Sequence, residues 1–236
     1  GISKVVKSLN ILDYNITIVN TAGPAHKKYK KIKYIDGITK LTKSLAKEAL
    51  DINANFINIS SLAARNYKLQ IEENLYNYGK QKLISEKIIN KMFYNSFKKL
   101  SVISLRPPAI WGSEAKGSFY LLNKIIDLNL PLPICSIQNK RPYLHIKNLT
   151  KCIIDISIKL KVSEYEPFRV MEINDGEYTL DEIIKLICKE NSKKIKTFYF
   201  PEMIIRCILY AFKRPLYGQI FFKLKSNNEQ LNKFLR

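Results

Sequence analysis

Glycine is scarce in this chain, with only 8 among its 236 residues. None of them falls in a G-x-G-x-x-G or G-x-x-G-x-x-G pattern. That pattern forms a tight turn that lets backbone amides at a helix N-terminus approach the pyrophosphate of a dinucleotide. The sequence therefore excludes a phosphate-binding turn of this type within these residues.

Metal ligands and disulfide pairs are also poorly represented. The chain has two histidines and four cysteines, and Cys135, Cys152, Cys188 and Cys207 show no paired spacing. Such spacing excludes the usual zinc motifs and favours reduced thiols, as in a cytoplasmic protein. We therefore expect no metal site and a cytoplasmic location.

Long apolar runs are missing, since a bilayer-spanning helix needs about 20 such residues. The most apolar helical stretch, residues 203–212, is half that length and is followed by Lys213 and Arg214. Apolar residues next to basic and aromatic ones fit a helix that lies in a membrane interface. Packing against neighbouring parts of the fold is the alternative.

Acidic residues are outnumbered two to one, with 20 Asp and Glu against 40 Lys and Arg, which gives a net charge of +20. A strongly basic protein can bind nucleic acid by displacing counterions from phosphates. Here 33 of the basic residues are lysines spread along the chain, with a modest cluster at residues 26–31. No nucleic-acid-binding motif accompanies them, so nucleic acid is not an expected partner.

Three short apolar runs predict the strands of a sheet. Residues 15–23, 55–61 and 101–112 are rich in β-branched residues and end in small residues, serines or prolines. Helical patterns separate them, which is typical of a parallel α/β fold. With 236 residues, 46% of them hydrophobic, the chain can bury the core of one such domain and a small additional lobe.

The most informative stretch is residues 78–82, YGKQK. It places Tyr78 and Lys82 four residues apart, and therefore on one face of a helix that we expect to begin near this point. A lysine ammonium favours the phenolate of a neighbouring tyrosine, which can then exchange a proton with an alcohol. The alternative is a solvated helix surface. Ser60 and Ser61 close the preceding strand and either face a ligand or cap a turn.

Eight motifs in one order carry a resemblance that covers nearly the whole chain. They are NTAGPAH at 20–26, FINISS at 56–61, YGKQK at 78–82, LRPPAIWG at 105–112, KGSF at 116–119, LPLP at 130–133, RPYLHI at 141–146 and NDGEYT at 174–179. The chain resembles the NAD-dependent epimerase/dehydratase family of extended short-chain dehydrogenase/reductases. Within it, the chain is most similar to nucleotide-sugar 4-epimerase-like members of surface-polysaccharide gene clusters.

This resemblance implies roles for individual residues. Tyr78 would be the catalytic acid and base, Lys82 would lower its pKa and bind ribose, and Ser61 would orient the sugar oxygen. The implied cofactor is NAD, with NADP not excluded, and the implied substrate is a nucleotide-diphosphate sugar. The cofactor-binding residues would be Tyr78, Lys82, Ala22, Ser60, Pro107 and Pro108, and the substrate-binding residues Ser61, Ser118 and Arg141. Arg141 would hold the diphosphate through its planar guanidinium.

The resemblance also implies a domain organisation. Residues 1–120 would be what remains of a Rossmann-like NAD-binding domain whose N-terminal βαβαβ half is missing, and residues 121–236 a substrate lobe interleaved with the sheet. Helices are expected at about 2–14, 147–161 and 179–190. We further expect truncation at the N-terminus and a smaller one at the C-terminus.

The implied function is an NAD-dependent nucleotide-sugar epimerase or dehydratase, with UDP-sugar 4-epimerase as the best single interpretation. A catalytically inactive remnant, or the C-terminal fragment of a split enzyme with an N-terminal partner, is the main alternative, and a basic peripheral membrane protein is a further one. Family members often pair through the helix that bears the Tyr and Lys. Here that helix would offer the apolar residues Leu83, Ile84, Ile88 and Met92 to a homodimer, although core packing explains them equally well.

Overall fold

The computed structural model describes residues 15–21, 32–69, 73–96, 98–112, 118–162 and 168–236. The helix predicted at 2–14 and the proposed cofactor contact Ala22 lie outside these ranges. The described strands are β1 (Thr17–Asn20), β2 (Asn55–Ile59), β3 (Val102–Arg106), β4 (Ala109–Trp111), β5 (Arg141–His145), β6 (Arg169–Glu172) and β7 (Gly176–Tyr178).

The described helices follow the same chain order. They are α1 (Ile32–Asp51), α2 (Ala63–Asn66), α3 (Glu73–Tyr94), α4 (Ser118–Asp127), α5 (Ile146–Val162), α6 (Leu180–Glu190), α7 (Glu202–Phe212), α8 (Arg214–Phe221) and α9 (Glu229–Leu235). A 3-10 turn at Tyr67–Leu69 follows α2. No helix in the described ranges combines the length and the hydropathy needed to cross a bilayer.

A four-stranded sheet in the order β1-β2-β3-β6 forms the centre of the fold, and all its pairings are parallel. The predicted parallel α/β fold class is therefore confirmed. Within the predicted run at 101–112, Pro107 and Pro108 end β3 as expected, because proline cannot donate to a ladder, and β4 follows them as a separate strand. β4 then joins β5 and β7 in a second, three-stranded sheet.

Two cores cover the faces of the parallel sheet, because successive side chains of a strand point to opposite sides. Phe56 and Val102 pack with residues of α1 and α3 on one face. Ile57 and Ile103 pack with α5 and α9 on the other. A third core joins the second sheet to α4, α6, α7 and α8.

The two helices predicted beyond residue 121 are confirmed. The helix expected at 147–161 is α5, and the helix expected at 179–190 is α6. Thr179 is the N-cap of α6 and forms a capping box: its hydroxyl accepts from the Glu182 amide, and the Glu182 carboxylate accepts from the Thr179 amide. β6 comes from beyond residue 120 and completes the sheet of β1 to β3. Residues on both sides of position 120 thus contribute strands to one sheet. The predicted domain division at 120/121 itself stays a prediction.

Strand β1 lies at one edge of the parallel sheet. It pairs with β2 through Thr17 to Asn20, and no strand of the described ranges pairs with its other side. An unpaired edge leaves backbone donors and acceptors that another strand can satisfy. This edge is only four residues long.

Candidate active site

Helix α3 carries Tyr78 to the segment that follows β2. The helix begins at Glu73, so Tyr78 lies in its second turn, not in its first turn as expected. The Tyr78 hydroxyl and the Ser61 hydroxyl share a hydrogen bond. Burial raises the pKa of Tyr78, and the bond to Ser61 lowers it by a smaller amount. The phenol is therefore protonated in the neutral pH range.

Lys82 lies one turn further along α3 and is 6% exposed. Its Nζ donates to the backbone oxygen of Ile59 at 2.8 Å and lies 5.9 Å from the centre of the Tyr78 ring. Burial lowers the pKa of Lys82 from 10.5 to about 8, and the nearby Glu86 carboxylate partly opposes the shift. The predicted pair is thus brought together at the end of β2.

The lowered pKa of Lys82 predicts a pH effect on stability. An unfolded lysine binds its proton up to about pH 10.5, whereas the folded one releases it near pH 8, so the free energy of unfolding rises between these values. Across this pH window we expect the free energy of unfolding of the wild type to gain about 2–3 kcal/mol from Lys82. A Lys82→Met variant should lack this gain. Urea unfolding at a series of pH values measures it.

The comparison between these two proteins isolates Lys82, because all other titrating groups are common to them. Cys152, whose pKa burial raises to about 12, contributes the opposite slope in both. Parallel stability profiles for the wild type and Lys82→Met would contradict a buried ammonium at this position.

A buried ion pair beside Lys82 was not predicted from the sequence. Arg106 Nε donates to Glu86 Oε1 at 2.9 Å and Arg106 Nη2 to Glu86 Oε2 at 2.6 Å. The side chains of Glu86 and Arg106 are only 3% and 14% exposed. One signal could have found it: Glu86 follows Lys82 by four residues, and so lies on the same face of α3.

A row of polar side chains crosses the parallel sheet and was also missed. Asn20 Nδ2 donates to Asn58 Oδ1 at 2.9 Å, and Asn58 Nδ2 donates to Ser104 Oγ at 3.1 Å. Asn20 also donates to Thr42 Oγ1 of α1 at 3.3 Å. Asn20, Asn58 and Ser104 occupy paired positions of β1, β2 and β3. Isolated polar residues inside apolar strands were the signal.

Gly79 allows α3 to approach the segment that contains Ser61. A Cβ atom built at Gly79 would lie 2.7 Å from the Tyr67 Cβ and would also meet the backbone oxygen of Ala63. Real Cβ atoms do not approach backbone so closely, hence any larger residue must push the two elements apart. The close approach places Tyr78 against Ser61.

We therefore expect Gly79→Ala to lower the free energy of unfolding by about 1–3 kcal/mol. The matched control is Gly37→Ala in α1, where nothing lies within 4 Å of the added atom, and alanine should stabilise the helix by about 0.5–1 kcal/mol. Thermal or urea unfolding measures both. Equal effects of the two substitutions would contradict the close contact.

The remaining proposed cofactor residues lie at the carboxyl ends of β2 and β3. Ser60 is 3% exposed, and its hydroxyl finds no hydrogen-bond partner among the described residues. Its amide donates to the Leu105 oxygen, and the Leu62 amide donates to the Pro107 oxygen. Pro108 is buried beside them. This edge is where ligands bind in open α/β sheets.

The predicted substrate residues beyond Ser61 lie elsewhere in the chain. Arg141 opens β5, and its Nη1 donates to the backbone oxygens of Gly218, at 3.0 Å, and Gln219 at the end of α8. Burial lowers the pKa of Arg141, and its interaction with Tyr143 partly offsets the shift. Ser118 begins α4, but its side chain lies outside the description. The described residues contain no cluster of three or more potential metal ligands.

Solved structures share this fold. Bordetella bronchiseptica WbmG, in complex with NAD and UDP, matches 99% of this chain and 69% of its own with a TM-score of 0.62 and 12% identity. UDP-glucuronic acid 4-epimerase from Bacillus cereus, in complex with NAD, matches 85% of this chain and 66% of its own with a TM-score of 0.62 and 18% identity. No protein-family model matches the chain.

A curated relative adds sequence similarity. UDP-glucose 4-epimerase from Vibrio cholerae is 32% identical over 124 residues, which is 48% of this chain and 37% of that enzyme. This match supports the resemblance to the NAD-dependent epimerase/dehydratase family that the eight motifs carry. In the match the chain spans little more than a third of the curated relative's length.

Proposed function

We propose that this chain contributes the proton-transfer half of an NAD-dependent nucleotide-sugar epimerase or dehydratase, with UDP-sugar 4-epimerase as the specific activity and surface-polysaccharide synthesis as its setting. The observation that carries the proposal is the convergence of Ser61, Tyr78 and Lys82 at the carboxyl edge of the parallel sheet. The similar proteins act on or bind UDP-linked ligands by name. A cytoplasmic location suits such soluble substrates.

In this proposal Tyr78 exchanges a proton with the sugar hydroxyl that is oxidised. Ser61 already bonds the Tyr78 hydroxyl, so it can hold the sugar oxygen within hydrogen-bond reach of the phenol. Lys82 is mostly cationic at neutral pH, since its pKa is about 8. In this proposal its charge favours the phenolate during the proton transfer and opposes the burial that raises the pKa of Tyr78. NAD, when bound, supplies the hydride acceptor.

The residues present fit one end of NAD. The buried and unpartnered Ser60 hydroxyl, Lys82 Nζ and the backbone around Pro107 offer polar groups where a nicotinamide ribose would lie. No Gly-rich turn for the pyrophosphate exists in the 236 residues. Whether NAD or NADP is used depends on residues of such a turn and the following strand, so we propose NAD from the relatives.

Arg141 is proposed to hold the nucleotide diphosphate. Its Nη1 already donates to carbonyl oxygens of α8, so the N–H groups of Nε and Nη2 would meet the phosphate oxygens. Ser118 is proposed to lie near the nucleotide. A homodimer through the partly buried residues of α3, such as Leu83 and Ile88, is proposed as the assembly.

A second candidate is that the chain acts only with a separate N-terminal partner, or is an inactive remnant. Two observations favour the partner: the missing Gly-rich turn, and the side of β1 that no described strand pairs with. A partner could supply both the turn and a strand at that edge.

Calorimetric titration with NAD and assay of UDP-glucose and UDP-galactose interconversion test both candidates. The chain is measured alone and after co-expression with an upstream reading frame that encodes a Gly-rich turn. Saturable binding at micromolar NAD by the chain alone supports an autonomous enzyme and rules out the partner. Turnover only after co-expression supports the split enzyme. No binding and no turnover in either preparation contradicts an enzymatic role.

A further inference from the structure

Helix α7 exposes an apolar surface that the fold does not bury. The sequence left two alternatives for this stretch, a helix in a membrane interface and a helix packed within the fold; in the structure only Ile205 of α7 is buried, and Leu209 is partly buried. Met203 and Phe212 are 74% and 79% exposed. We name as the α7 surface these exposed residues: Met203, Ile204, Cys207, Ile208, Tyr210, Ala211 and Phe212.

The α7 surface continues into an apolar cavity of about 340 Å³. The residues that line it carry no polar side chain, and they are Pro133, Phe198, Phe200, Ile205, Ile208 and Leu209. Of these, Phe198 is 44% exposed, and Tyr199, which follows it in the chain, is 73% exposed. Contiguous apolar area of this kind on a protein surface marks a site of interaction.

The α7 helix carries no net charge, whereas the segments at both of its ends are basic. Within α7 only Glu202 and Arg206 are charged, and they form an ion pair at 2.7 Å, so the helix itself is neutral overall. Exposed lysines lie at both of its ends, with Lys194 and Lys196 on the segment leading into it and Lys213 directly after it. The chain as a whole carries a net charge of +20.

We propose that the α7 surface binds to the face of an anionic lipid bilayer. An 11-residue helix is about 16 Å long, too short to cross about 30 Å of hydrocarbon. Lying parallel to the membrane, it can bury its apolar residues at the boundary between head groups and acyl chains while flanking lysines meet anionic head groups. The basic surroundings favour a bilayer over a second copy of this chain, which would bring like charges together.

Vesicle co-sedimentation of the full chain tests the proposal. We expect binding to vesicles of equal parts phosphatidylcholine and phosphatidylglycerol, and little binding to phosphatidylcholine alone. Raising salt from about 0.1 M to about 1 M shortens the Debye length from ~10 to ~3 Å and should release most of the protein. Met203→Glu with Phe212→Glu should weaken binding by at least about tenfold, because two apolar side chains are lost from the interface.

The matched control is Ile154→Glu with Ile158→Glu on α5, where both apolar side chains are also exposed, at 52% and 55%. It adds the same charge at a different surface and should weaken binding far less. Three results would overturn the proposal: no binding to anionic vesicles, equal loss in both double variants, or a wild-type dimer by light scattering that the α7 variant separates without any vesicle binding. Circular dichroism and thermal unfolding establish that both variants fold.

Discussion

Replacing Tyr78 by phenylalanine is expected to lower the rate of sugar oxidation by about 10²- to 10⁴-fold, which is the usual contribution of a positioned acid or base. The ring and its place on α3 are retained, so only the hydroxyl bonded to Ser61 is lost. The turnover is measured in whichever preparation interconverts UDP-sugars, the chain alone or the chain with an N-terminal partner. The affinity for the UDP-sugar should change little, because its diphosphate is proposed to bind elsewhere.

The control for this prediction is Tyr76→Phe, the same substitution two residues away on the same helix. The Tyr76 ring packs against Tyr67 with centroids 5.3 Å apart, a contact that phenylalanine preserves. We expect this variant to retain its turnover. If Tyr78→Phe also kept its turnover in an active preparation, Tyr78 would not be the proton donor and acceptor.

Replacing Arg106 by methionine should destabilise the fold by about 3–5 kcal/mol, because it leaves the Glu86 carboxylate buried without its partner. The pair is bidentate and the Glu86 side chain is 3% exposed, so solvent cannot replace the guanidinium. Urea unfolding at neutral pH measures the change.

Two further variants sharpen the measurement on Arg106. Arg206→Met breaks a pair on α7 whose side chains are 39% and 30% exposed, and it should cost no more than about 1 kcal/mol. Glu86→Leu combined with Arg106→Met removes both charges and should recover most of the loss. A cost below about 1 kcal/mol for Arg106→Met alone is the value of a solvent-exposed pair and would contradict a buried pair at this position.

The strands and the candidate site could be predicted in part because their signals are local. Apolar runs ended by Ser60 or Pro107 define strand ends, and the spacing of Tyr78 and Lys82 places them on one helix face. What sequence reasoning missed is non-local. The partner of Glu86 is Arg106, 20 residues away on β3. Sequence spacing predicts contacts within a helix or a strand, but not a contact between a helix and a strand that pack together.

Exposure was the other property that periodicity could not supply. The apolar residues of α7 fit a helix packed in a core as well as one at a surface, since hydrophobicity does not reveal what lies opposite. Likewise, Gly79 looks like a weak point of a helix in the sequence. Only the structure shows that Tyr67 leaves no room for a side chain at Gly79.

The Asn20, Asn58 and Ser104 row has a consequence for how the sheet assembles. A slip of one residue turns every side chain of a strand to the opposite face of the sheet. Because β1 has apolar residues on both faces, Ile18 on one and Val19 on the other, hydrophobic contact alone specifies its register weakly. Sliding β1 by one residue would turn Asn20 away from Asn58 and leave amide groups without partners inside the protein. The hydrogen bonds of this row therefore specify the register in which β1 pairs with β2, because a shifted register would lose them.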